Sequence, residues 1–206
     1  MAFNVNDFRS KMTFDGARPN LFEVYMTLPA NLAGDNINPA LAQSEMQFKV
    51  KAAQLPGSTI GVVPVYYFGR ELKFAGNRTF SDWTVTIIND EDFIARNALE
   101  AWMSAINSHK ENRRKNSYVR AVDYSKDALV VQWGKDGSEK KSYVFSGMFP
   151  VDISPIDLDW GSNDSIEEFS VTFAYQYWAS NTTDREETNL KPSTGSGSNF
   201  GPVTRG

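Results

Sequence analysis

The sequence predicts a mainly β domain, an antiparallel β-sandwich or barrel with one flanking α-helix. Short stretches of alternating apolar and polar residues recur along the chain, as at 82–88 and 166–178, with the period of half-buried strands. Clusters such as Leu55-Pro56-Gly57 and Gly134-Lys135-Asp136-Gly137-Ser138 punctuate them with turn chemistry. One stretch, and only one, carries a long apolar stripe at helical spacing.

Residues 1–20 are polar and mixed, ending in Gly16-Ala17-Arg18-Pro19-Asn20. The first strand is expected over 21–28, with Phe22, Val24, Met26 and Leu28 on one face and Pro29 as its stop. Residues 30–44, rich in Asn, Gly and Pro, read as a loop. A second strand over 46–53 would put Phe48, Val50 and Ala52 on one face and Gln47, Lys49 and Lys51 on the other. The extended run 59–68 contains Pro64, which cannot donate to a ladder, so it reads as an edge strand or a bulge. Gly69-Arg70 is a bend, 71–74 is short and extended, and Gly76-Asn77 reads as a turn into the 82–88 strand that begins with Trp83.

The helix is expected from about Asp90 to His109. Ile94, Ala98, Ala101, Trp102, Ala105 and Ile106 form its apolar stripe, and Asn89 or Asp90 is placed to cap its free N–H groups. The basic stretch from His109 to Lys115 suits the negative end of the helix dipole, or a docking patch for an acidic partner. Further strands are expected at 118–123, 128–133, 141–149 and 151–159, with a hairpin loop at 134–138. The last strand, 166–178, has Phe169, Val171, Phe173, Tyr175 and Tyr177 on one face, and Glu168, Ser170, Thr172, Ala174 and Gln176 on the other. Domain 1–180 then gives way to 181–206, rich in Gly, Ser, Thr and Pro, which has too little apolar surface to order itself. A neighbouring subunit is expected to hold that extension.

The composition excludes more chemistry than it offers. The 206 residues include no cysteine, which removes disulfides and thiolate chemistry, and one histidine, through which any His-based site would have to run. The net charge of −4 argues against a general nucleic-acid binder. No apolar run approaches the roughly 20 residues that span a bilayer, so a soluble protein without stable membrane insertion is expected. Asp157, Asp159, Asn163 and Asp164 are spaced like oxygen ligands for Ca²⁺, but counting from Asp157 the sixth place holds Ser162 rather than the required Gly. Turn formation accounts for them better. No phosphate-binding Gly-rich loop is present. No catalytic residue and no cofactor or metal site is assigned.

Several motifs occur in one order: ARPNLFEV at 17–24, LPGSTIG at 55–61, GNRTFSDWTVTIINDEDF at 76–93, GMFP at 147–150 and IDLDWGSNDSIEEFSVTFAYQYW at 156–178. Together they resemble the tail tube proteins of contractile-tailed, myovirus-type bacteriophages. The resemblance implies a tail-tube type β fold and a structural virion protein, made in the host cytoplasm, whose hexameric rings stack into the inner tail tube. It implies as partners further copies of the chain, the tail sheath, and the baseplate and tail terminator proteins. The tape measure protein and genomic DNA would pass through the lumen during ejection without specific binding. On this reading Thr84, Thr86, Glu168, Ser170, Thr172 and Gln176 are lumen-facing candidates. Arg70, Arg78, Lys110, Arg113, Arg114, Lys191 and Phe200 are candidates for contacts between subunits. The alternatives are a tube-initiating baseplate protein, a tube subunit of a phage-derived contractile injection system, or, outside that class, a carbohydrate-binding β-sandwich using its aromatic residues.

Overall fold

The computed structural model describes residues 4–12, 16–32 and 37–183. A short helix α1 (Val5–Lys11) precedes strand β1 (Phe22–Met26), helix α2 (Pro39–Lys49) and strand β2 (Val50–Ala53). Strands β3 (Ser58–Tyr67) and β4 (Arg70–Phe80) follow, then β5 (Trp83–Ile88) and helix α3 (Ile94–Ile106). A 3₁₀ turn (Asn116–Tyr118) and helix α4 (Ala121–Tyr124) lead to β6 (Lys126–Trp133), β7 (Glu139–Ile153), β8 (Glu168–Ala174) and β9 (Tyr177–Ser180). Among the described residues no helix is long and apolar enough to cross a membrane.

All the pairings are antiparallel. The main sheet runs β1-β6-β7-β8-β5-β2, with β9 also on β7. Strand β7 belongs to both layers of the sandwich. Its first part pairs with β6 and β9 (Tyr143↔Ser180, Ser146↔Tyr177), and its second part pairs with β8 (Phe149↔Ala174, Ile153↔Val171). Gly147 makes the corner at φ +67°, a backbone angle that L side chains rarely adopt, and its N–H donates to Asp127 Oδ1 at 2.9 Å. The expected single strand over 166–178 breaks for the same reason, with Tyr175-Gln176 stepping between the layers.

Most of the period-two residues meet in one core, and Leu129, Val131 and Val144 form a second, smaller cluster. Trp83, Val85 and Ile87 of β5 face Phe169, Val171 and Phe173 of β8, and Val24, Met26, Ala128 and Val130 close it from the other layer. Trp83 stacks on Phe145 with centroids 4.4 Å apart. Helix α3 adds Ala95, Ala98, Leu99 and Trp102, and the Trp102 indole N–H donates to Tyr124 O at 2.8 Å.

Several expectations need correction. Residues 46–49 are helical: Asn38 caps α2 by accepting from Ala40 N and Leu41 N, and Pro39 sits at its start. Ala42 and Met46, one turn apart, carry its buried face, and Phe48 is 79% exposed. The strand at 118–123 is a 3₁₀ turn and a short helix, the strand expected at 151–159 ends at Ile153, and Gly76-Asn77 lies inside β4. Gly76 is there because a Cβ would come 3.0 Å from Gly61 O across the ladder. Helix α3 is shorter than expected, and the chain enters it through Phe93 at φ +52°, whose own side chain makes no cap, while the Asp90 carboxylate lies against the N–H of Ile94 at the helix start.

Candidate functional site

The β3–β4 hairpin stands off the sandwich as a sheet of its own. Ten residues of β3 at about 3.3 Å each give it a reach of roughly 30 Å. Phe68 and Gly69, both at positive φ, make the tight reversal at the tip. Register places Val63 opposite Phe74 and Val65 opposite Leu72, so one face is an apolar strip. The other face carries Pro64 opposite Lys73 and Tyr66 opposite Glu71. All of these side chains are exposed, and Phe68 at the tip is 92% exposed. Pro64 is tolerated because both strands of a two-stranded sheet are edges.

The root of the hairpin is held firmly. The Trp83 indole N–H donates to Gln54 O at 2.8 Å, and that of Trp178 donates to Gly57 O at 3.1 Å. Phe80, the last residue of β4, packs edge-on against Trp178 at 6.4 Å. The core residue Trp83 and the half-buried Trp178 thus fix the backbone on the approach to β3, so the arm leaves the body at a set angle.

A second surface is the outward face of β2, β5 and β8. Thr84 meets Thr172 and Thr86 meets Ser170, each pair with hydroxyl oxygens 3.3 Å apart. Glu168 pairs in charge with Lys51 of β2, and Asp152 of β7 lies beside Thr172 in register. The face is therefore hydroxyl-rich, with its lysine neutralised. Gln176 lies in the break between β8 and β9, beyond this row, and its N–H donates to Ser146 O. Lys49 points elsewhere: as the last residue of α2 it bridges Glu45 and Asp90. Burial pushes the Lys49 pKa down, but the hydrogen bonds to Asp90 and Glu45 outweigh it, so the net shift is upward. Burial likewise raises the Asp90 pKa, and the Lys49 bond and the N–H groups of Asp90 and Ile94 bring it net below the ordinary value.

Of the cations expected between subunits, Arg70 opens β4 beside the tip, and Arg78 donates to Ser58 Oγ at 3.2 Å near the root. Lys110, Arg113 and Arg114 are exposed on the turn after α3. Lys191 and Phe200 lie outside the described residues. Sequence reasoning missed the apolar strip on the arm, which β-period alternation cannot distinguish from a core-facing one. It also missed the Lys51–Glu168 pair and Asp152, which depend on non-local register. Trp83 and Trp102 are buried in the core, which removes them from any exposed aromatic row.

The chain matches the family described as "Phage tail tube protein" over residues 17–181. It is 35% identical over 165 residues to tail tube protein gp19 of Enterobacteria phage T4, covering 80% of this chain and 91% of that one. The tail tube protein of Serratia phage KSP90 is 25% identical over 173 residues, covering 83% and 93%. Among solved structures, a chain of the sheath-tube complex of the PVC extracellular contractile injection system, in its extended state, has TM-score 0.54 at 14% identity, covering 83% of this chain and 95% of that one. A chain of the anti-feeding prophage tube-terminating cap has TM-score 0.55 at 17% identity, covering 80% and 90%. Both share the fold. The sequence matches go further than the fold: the chain belongs to the phage tail tube protein family.

Proposed function

We propose that this protein is the structural subunit of a contractile tail tube, built from stacked sixfold rings, with no catalytic role. The observation that carries this reading is the exposed apolar strip on the β3–β4 arm. A two-stranded hairpin with one apolar face in water is marginal by itself, so it gains its stability when neighbouring copies cover that face. The hydroxyl-rich face of β5 and β8 lines the lumen. Phosphate binding needs cations, and Lys51 on that face is neutralised by Glu168, so DNA and the tape measure protein slide past without being held. The sheath wraps the outside, and baseplate and terminator proteins close the two ends. The 181–206 extension, of which 184–206 lie outside the described residues, is expected to dock on a neighbouring subunit. The assembled protein is then a component of a virion tail.

The test is Val65→Asp with Phe74→Asp, both on the apolar face of the arm. The parent is expected to form rings or tubes by negative-stain microscopy and velocity sedimentation over a concentration series. The variant should stay monomeric with an unchanged melting temperature, because the arm lies outside the core. Assembly equal to that of the parent would sink this reading.

A further inference from the structure

We infer that two copies of this chain meet head to tail: the 154–167 loop of one, led by Trp160, seats on the cationic surface formed by residues 110–122 of the next. This contact rests on the tube-subunit reading and adds a second interface to the one made by the arm.

The loop presents apolar side chains outward by construction. Trp160 is 100% exposed, and its neighbours Leu158 at 81% and Ile166 at 71% are nearly so. A tight turn holds the tryptophan out: Gly161 N–H donates to Asp159 Oδ1 at 3.0 Å, and Ser162 N–H donates to Asp159 O at 3.1 Å. Both ends of the loop are pinned to the body. Ser154 N–H donates to Ser170 O and Arg96 Nη1 donates to Ser154 O, while at the far end Asn89 N–H donates to Glu167 O at 2.8 Å. Four carboxylates, Asp157, Asp159, Asp164 and Glu167, lie within 154–167, and no cation does.

The complementary surface lies beyond the other end of α3. Val119 and Val122 are exposed there, at 61% and 66%. The stretch 110–123 carries five cations, Lys110, Arg113, Arg114, Lys115 and Arg120, and two acids, Glu111 and Asp123. The patch is built rather than loose: Arg114 lies over the Tyr124 ring at 4.8 Å and donates to Val119 O at 3.3 Å.

Position and charge together fix the kind of contact. Arg96, in the first turn of α3, touches the root of the acidic loop, whereas the cationic surface follows its last turn. Helix α3, thirteen residues and about 20 Å long, runs from the first toward the second. A symmetric contact of either patch with itself would bring like charges together. A head-to-tail contact brings unlike charges together and buries Trp160 between the two valines. Contacts of that kind repeat into rings or filaments.

The chain has no cysteine, so single introduced thiols report the contact cleanly. Leu158→Cys and Val122→Cys proteins, made separately, would be mixed and oxidised with diamide, with melting temperatures confirming that each is folded. The mixed disulfide should dominate over either homodimer. Adding Trp160→Ser should cut it about tenfold, the scale of losing one well-packed aromatic anchor. Adding Arg113→Glu with Arg114→Glu should cut it further. Tubes or rings that form without a mixed disulfide would overturn this contact while leaving the tube reading in place. Absence of both assembly and mixed disulfide would overturn both.

Discussion

Trp83 links the core to the β3–β4 arm. Its ring stacks on Phe145, and its N–H holds Gln54 O at the approach to the β3–β4 arm. Trp83→Phe keeps most of the packing and orphans that carbonyl, so urea unfolding should show a loss of about 1 kcal/mol. Trp83→Ala should cost about 3–5 kcal/mol, because it also leaves a cavity against Phe145 and Phe173. A loss under 1 kcal/mol for Trp83→Ala would show that this ring is not what fixes the root of the arm. Lys49 and Asp90 do a comparable job between α2 and the turn before α3. The depressed Asp90 pKa contributes stability that is present above the ordinary carboxylate value, about 3.9, and is lost as pH falls through the folded-state value. The raised Lys49 pKa contributes stability that is present below about 10.4 and lost as pH rises through its folded-state value. Lys49→Met should therefore be less stable than the parent by about 1–3 kcal/mol at neutral pH. Below pH 4 that gap should close. A gap unchanged between pH 7 and pH 2 would contradict the role given to this pair.

At the scale of elements, the strands that face the core were legible because their alternation is local. Trp83-Thr84-Val85-Thr86-Ile87 buries every second residue, and Phe169, Val171 and Phe173 do the same in β8. The hydroxyl face was legible for the same reason, as the other half of that alternation. Helix α2 was misread because Phe48, Val50 and Ala52 alternate by coincidence, while the start signal Asn38-Pro39 was absorbed into a loop. The arm was half legible. Pro64 marked an edge strand, but nothing local says that Val63, Val65, Leu72 and Phe74 face solvent in the single chain. That follows only from β4 running unbroken through Gly76, which depends on the close approach to Gly61 across the ladder. The corner in β7 was invisible, because it depends on which partners each half finds. Asp157, Asp159, Asn163 and Asp164 were read as turn formers, and Asp159 does close a turn; the full exposure of Trp160 within that turn was not foreseen.

At the scale of the whole molecule, the features left over after folding point outward. Among the described residues the outer edges of β1 and β2 have no strand partner in the main sheet, and the arm carries apolar surface outside the core. Free edges and exposed apolar strips are liabilities in a monomer, and closure by further copies removes them. The same logic accounts for the opposite charges beyond the two ends of α3. The proposed lumen face ties these surfaces to the proposed conduit role, and a cryo-electron microscopy map of the assembled protein, at a resolution that traces strands, tests it. The expected map is a hollow tube with the Thr84–Thr172 and Thr86–Ser170 pairs facing the channel, the β3–β4 arm covered by neighbouring subunits, and density for 181–206 on an adjacent copy. A tube whose channel is lined by another face, with those hydroxyl pairs turned toward the outside, would contradict it.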